Sequence, residues 1–155
     1  MGGIRIGYLI PQFPGQTHIF FWREIEELWR LGAEVEIVST RPPPPGLISH
    51  SWSAQAIART TYLGRLTVTG FLAAPPRLAL VLWAEAGADG FLGDLILCAD
   101  PARRLARLCA ERRITHLHVH SCGRAALVAA LARAGFGGVP YSLTLHGPLA
   151  DYGPG

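Results

Sequence analysis

Between Arg5 and Ser39 the sequence changes its apolar rhythm twice, and this constrains the fold more than any other feature. "RIGYLI", Arg5–Ile10, is a short apolar run closed by Pro11, which suits a buried strand. After the turn-rich loop "PQFPGQT", Thr17 is placed to cap a helix running to about Leu31. Phe21, Ile25, Leu28 and Gly32 share one face of that helix, flanked by Trp22 and Trp29, while Arg23, Glu26 and Arg30 point outward. Glu26 and Arg30 have the four-residue spacing of a surface ion pair. Gly32 suits the helix C-terminus, and "AEVEIVS" resumes as a strand. Two strands joined through one helix over so short a stretch lie parallel, with a right-handed crossover.

The alternation continues. "TRPPPPGLISH" is a surface loop, because consecutive prolines cannot donate to a strand ladder or continue a helix. "TTYLG" has the length of a short strand. "PPRLALVLWAEAGADGFLGDLILCA" has the pattern of two apolar helices broken near Gly87–Gly90. Pro75, Pro76, Arg77, Glu85, Asp89 and Asp94 interrupt it too often for a transmembrane helix, which needs about 20 apolar residues. Asp100 and Pro101 are read as the N-cap and first-turn proline of the next helix. Leu105, Leu108 and Cys109 then face inward, and Arg103, Arg104, Arg107 and Arg113 outward. "THLHVH" is a strand, Ser121 caps an alanine-rich helix ended by Gly135, and "PYSLTL" is a further strand opening into "HGPLADYGPG". One domain over residues 1–155 is expected, of the α/β class: a doubly wound, mostly parallel, Rossmann-like sheet covered on both faces.

Composition narrows the partners. Half of the 155 residues are hydrophobic and only 16% are charged, against about 25% in an ordinary soluble domain. Such a chain has surface suited to cover by another domain, a partner or a membrane face, and self-association is expected when that cover is absent, with Phe71–Ala86 the most apolar segment. All 14 basic residues are arginine, and the net charge is only +3. Without a dense basic patch interleaved with aromatics, nucleic acid is not an expected partner. The three cysteines are irregularly spaced, which argues against a disulfide framework or zinc knuckle and for a reducing, cytoplasmic setting. "MGGIRIGYLIPQF" lacks the features of a signal peptide, and Ile6 stands where myristoylation wants Ser or Thr.

In an open parallel sheet, ligands collect outside the carboxyl ends of the strands. Pro11–Thr17, Ser121–Arg124 and His146–Pro148 leave such ends and should converge on one cleft. The first loop matches neither GxGxxG nor GxxxxGK[ST], so no nucleotide cofactor is expected. It still sets Gly15, Gln16 and Thr17 at a helix N-terminus, which favours an anion such as phosphate; an ordinary capped turn has the same sequence. His116, His118 and His120 alternate, so all three side chains leave the same side of their strand. An H-x-H pair on a strand can hold zinc, but no acidic residue follows nearby and helices over both faces would bury His116 and His118. No metal is therefore expected, and His120 is the one of the three expected to reach the cleft. His146 ends its strand before Gly147, whose missing side chain lets a ligand approach the backbone. A histidine there can donate a hydrogen bond or shuttle a proton.

"IGYLIPQFPGQTHIFFWREIEELWRLGAEVEIVSTRP" together with "ITHLHVHSCGRAALVAALARAGFGGVPYSLTLHGPLADY" resembles the amino-terminal domain of group 1 (family 4) glycosyltransferases, most closely those of exopolysaccharide and colanic acid synthesis. The two blocks cover roughly half the chain; Pro43 to Pro101 matches only in general character. The resemblance implies the amino-terminal half of a GT-B fold, two Rossmann-like domains facing across a cleft. It implies transfer from a nucleotide-sugar donor to a glycan or lipid-linked acceptor, with retention and without a metal. The amino-terminal half holds the acceptor, and a carboxy-terminal donor-binding domain, absent from this sequence, holds most of the donor. By motif position His146 is the catalytic-cleft histidine, Gly15 to Thr17 face the donor phosphates or acceptor, and His120 lines the cleft. Gly147 belongs to the same site, and Arg124 is a phosphate partner within the chain. Peripheral contact with the inner membrane face fits a lipid-linked acceptor, and the chain alone is expected to be inactive. The competing reading is a stand-alone, non-catalytic α/β module that binds a sugar or phosphate.

Overall fold

The computed structural model describes residues 4–46, 50–67 and 91–147, with the side chains of 91 and 92 excepted. The helix expected around Pro75–Ala86 and the tail beyond Gly147 lie outside the described residues.

The apolar run at the start forms β1 (Arg5–Gln12), and β2 (Glu34–Arg41) pairs with it in parallel from Arg5↔Glu34 to Gln12↔Arg41. Between them α1 (Ile19–Arg30) buries Phe21, Trp22 and Ile25. These pack on Tyr8, Ile10 and Ile37. The helix begins later than expected. Its N-cap is His18, without a side-chain cap bond, and Thr17 stands exposed in the preceding turn. The His18 N–H closes that turn onto the Gly15 carbonyl at 3.1 Å. A Cβ on Gly15 would lie 2.6 Å from the His18 ring, so glycine lets the imidazole fold over the backbone. Arg30 pairs with Glu27 rather than Glu26, through two bonds of 2.5 and 2.7 Å. Gly32, at φ +85°, turns the chain out of the helix as expected.

The short strand β3 (Thr60–Tyr62) follows α2 (Ser53–Arg59) and lies beside β2. The helix expected to start at Asp100 is instead the second half of α3 (Phe91–Arg112), which carries Pro101 in its interior. Leu95, Cys98, Ala99, Ala102, Leu105 and Cys109 are buried in one stripe across the Asp–Pro pair. That continuous burial outweighs the roughly 3 kcal/mol that an interior proline costs a helix. Asp100 has no helix end to cap. It is fully buried and takes hydrogen bonds from the Thr67 N–H (3.0 Å) and hydroxyl (2.7 Å), Arg103 (2.9 Å) and Arg104 (2.5 Å).

The "HLHVH" strand is β4 (His116–His120), and it pairs with the other side of β1. The alanine-rich helix α4 (Arg124–Phe136) starts after Gly123 as N-cap, not Ser121, whose hydroxyl instead accepts the Gly123 N–H at 3.0 Å. It ends one residue beyond Gly135, at Phe136, where Gly137 takes the left-handed conformation. β5 (Tyr141–Thr144) pairs with β4. The sheet order is β3-β2-β1-β4-β5, parallel throughout. This is the expected Rossmann-like α/β sheet. On one face, α3 and α4 cover Leu9, Val38, Leu117 and Val119; on the other, α1 covers Tyr8, Ile10 and Ile37. No described helix is long and apolar enough to cross a membrane.

Candidate functional site

Strand alternation decides what β4 shows to each side. His118 is in register with Tyr8 and with Ser142, and His120 with Thr144. The histidines, Tyr8, Ser142 and Thr144 therefore share the face that carries α1, and Leu117 and Val119 point into the core beneath α3 and α4. His116 and His118 settle against β5: Ser142 Oγ lies 2.9 Å from His116 Nε2 and from His118 Nδ1, and Thr144 Oγ1 lies 3.0 Å from His118 Nε2. Both are half-buried rather than fully enclosed.

His120 lies deeper, only 4% exposed, with its ring 4.3 Å from that of Tyr8 and 4.6 Å from that of Phe21. Its Nδ1 is 3.2 Å from Nε2 of His146, and the two rings stack. Its Nε2 is buried without a hydrogen-bond partner among the described residues. A proton on Nε2 would be an unpaired buried N–H, so the proton belongs on Nδ1, which donates to His146. His146 is exposed and is bounded by Phe20 and Phe21. With its Nε2 accepting from His120, His146 carries its own proton on Nδ1 and can donate it to a ligand.

Burial favours the neutral ring at His18, His118 and His120. Burial, together with neighbouring His118 and His146, pushes His120 down to about 3. Burial lowers His118 as well, against the pull of Glu24 and with the help of His116 and His146. His18, at the start of α1, is lowered by burial and by His146. His18 and His146 both lie against the rings of Phe20 and Phe21, so the start of α1 and the end of β5 meet on one side of the sheet.

Two findings were not foreseen. Glu24 on α1 brings a carboxylate to the histidine face: its Oε2 accepts the Tyr8 hydroxyl at 2.6 Å, and ligand atoms of Glu24, His118 and His120 lie within 4.8 Å of one another. The expectation of no metal rested on the lack of an acidic residue after the histidines, and the fold supplies one from the opposite end of the chain. Helical spacing sets Glu24 three residues beyond Phe21, on the edge of the buried face, but does not show its approach to β4. Burial and the bond to Glu24 also raise Tyr8, holding its hydroxyl protonated.

The second is a separate cavity of about 700 Å³, lined by Pro11, Arg41, Arg65, Leu97, Arg124 and Val128 among others. Arg124 lines this cavity, apart from the His120–His146 pair, and is bound to Asp94 at 2.8 Å. Gly15 is half-buried, Gln16 and Thr17 are exposed, and Gly147 follows His146 at the mouth of the site. Gln16 also accepts a bond from His50 Nε2 through its carbonyl, 2.9 Å away.

A family model described as a glycosyl transferase 4-like domain matches residues 18–155. No curated protein matches the chain.

Proposed function

Because this chain belongs to the glycosyl transferase 4-like family, we propose that it forms the acceptor-side half of a retaining GT-B enzyme, which moves a sugar from a nucleotide-sugar donor to a glycan or lipid-linked acceptor. The α/β parallel sheet agrees with the amino-terminal half of such an enzyme. The observation that carries the reading is the His120–His146 pair at the carboxyl ends of β4 and β5. A buried neutral imidazole orients an exposed one, whose remaining nitrogen is free to donate to a hydroxyl of the sugar being transferred. Gly147, next to His146 in the chain, and Gly15, Gln16 and Thr17, in the turn that leads into α1, are assigned to substrate binding in this reading. Arg124, with Arg41 and Arg65 in the neighbouring cavity, offers positive charge to a phosphate of donor or acceptor. A second domain supplies most of the donor contacts. The setting is cytoplasmic, in polysaccharide synthesis at the inner membrane face. The free cysteines, two of them buried, suit a reducing compartment.

The test is transfer of a labelled sugar by an enzyme that joins this domain to a donor-binding domain, assayed over a panel of nucleotide sugars with lipid-linked and glycan acceptors. His146→Ala should fold normally and lose about 10²–10³ in turnover, the usual loss for one hydrogen bond made in the transition state. Unchanged turnover with both substrates saturating would remove His146 from the reaction.

A further inference from the structure

We propose that Glu24, His118 and His120 bind one divalent transition-metal ion, with zinc the best chemical match. The candidate ligand atoms all lie within 4.8 Å of one another. Around tetrahedral zinc, with bonds of about 2.0–2.1 Å, neighbouring ligand atoms are roughly 3.4 Å apart. The cluster is therefore somewhat open, and Glu24, exposed on α1, is the member free to close it. The two histidines are fixed by the pleat of β4, two residues apart on one face.

Three further features point to a ligand. His120 Nε2 is a buried ring nitrogen with no partner among the described residues, on a side chain only 4% exposed. Its other nitrogen is held by His146, which leaves the lone pair on Nε2 for an ion. Tyr8 donates to Glu24 Oε2, the kind of outer bond that orients a metal-binding carboxylate and leaves its other oxygen available. His118 spends its nitrogens on the Ser142 and Thr144 hydroxyls. Ion binding exchanges one of these bonds, and the other keeps the ring oriented.

The donor set selects the ion. Two imidazoles and one carboxylate suit zinc and its neighbours in the first transition row, whereas calcium and magnesium take oxygen ligands almost throughout. Three protein ligands leave a coordination position for water or a bound molecule. The site also reaches His146. An ion on His120 Nε2 fixes the proton on Nδ1 and makes it a stronger donor, so metal occupancy sets the orientation of the exposed histidine. The inference does not depend on sugar transfer, and its test reads binding alone.

The experiment titrates zinc chloride into the chelator-stripped chain by calorimetry, with elemental analysis after gel filtration. One zinc per chain is expected, with a raised unfolding temperature. Glu24→Gln, at an exposed position, should keep the circular dichroism spectrum and weaken binding roughly tenfold or more; His118→Ala should do the same. His116→Ala, outside the trio, and Cys122→Ser, at the one cysteine that is not buried, should bind as the parent does. No binding at micromolar zinc, binding unchanged by Glu24→Gln, or binding abolished by Cys122→Ser would each overturn the proposal.

Discussion

Asp100→Ala tests the unexpected continuity of α3. The carboxylate is fully buried and, among the described residues, accepts four hydrogen bonds, two from Thr67 and one each from Arg103 and Arg104. The arginine side chains are 32% and 30% exposed. They can turn to water in the variant, so each of those bonds counts at about 0.5–1 kcal/mol. Thr67 itself is exposed, but its N–H and hydroxyl lose a charged acceptor that is fully buried, and a net loss of about 1 kcal/mol each is reasonable. The loss is then about 3 kcal/mol, which for a chain of this size lowers Tm by roughly 6–12 °C. Asp100→Asn should show more than half of it, because the charge is gone and an amide N–H₂ would face a guanidinium. The pH dependence has a definite sign. Burial raises the Asp100 carboxyl, but bonds from Thr67 and Arg103 and the charge of Arg104 outweigh this and hold it below its ordinary value. Its contribution is therefore present above about pH 4 and is lost as pH falls through the lower folded-state value. Urea unfolding of the parent and both variants at pH 7 and pH 3 measures this. A loss below 1 kcal/mol at pH 7, or a difference between parent and Asp100→Asn that grows in acid, would refute the reasoning.

Gly7→Ala on β1 should cost about 1–3 kcal/mol in urea unfolding, because the new Cβ would lie 2.6 Å from Leu117 Cδ2 in a side chain with no exposure; a variant as stable as the parent would mean that Leu117 has room to move. Residues 1–155 alone should transfer no sugar from any nucleotide sugar, since the diphosphate leaving group needs a preorganised site that lone arginines cannot replace; transfer by the purified monomer would show the half-cleft to be a complete enzyme. Leu143 and Leu145, 41% and 45% exposed at the end of β5, should promote self-association. Light scattering should find species larger than a monomer, and Leu143→Lys should shift them toward one.

What was legible followed from local periodicity. β1, α1 and β2 could be read because their apolar spacing changes from a continuous run to a helical stripe and back. The common face of His116, His118 and His120 followed from the pleat alone. α3 was misread because Asp100–Pro101 looks like a helix start from its neighbours. Thr67, the partner that explains a buried Asp100 otherwise, lies more than thirty positions earlier in the chain. Glu24 was missed for a related reason: its role depends on where α1 sits over β4, and spacing within the helix fixes only its angular position. Arg124 shares the end of the sheet with His146, but its place at the start of α4 sends it to the other cavity.

The two sides of β4 carry separate information. Leu117 and Val119 are fully buried and answer to packing, whereas positions 116, 118 and 120, with 142 and 144 across the ladder, answer to whatever occupies the histidine face. Mutations on one side leave the demands on the other nearly untouched. A strand built this way lets specificity drift while the scaffold stays constant, and it marks those five positions as the ones to randomise in a library meant to change what the domain recognises without changing how it folds.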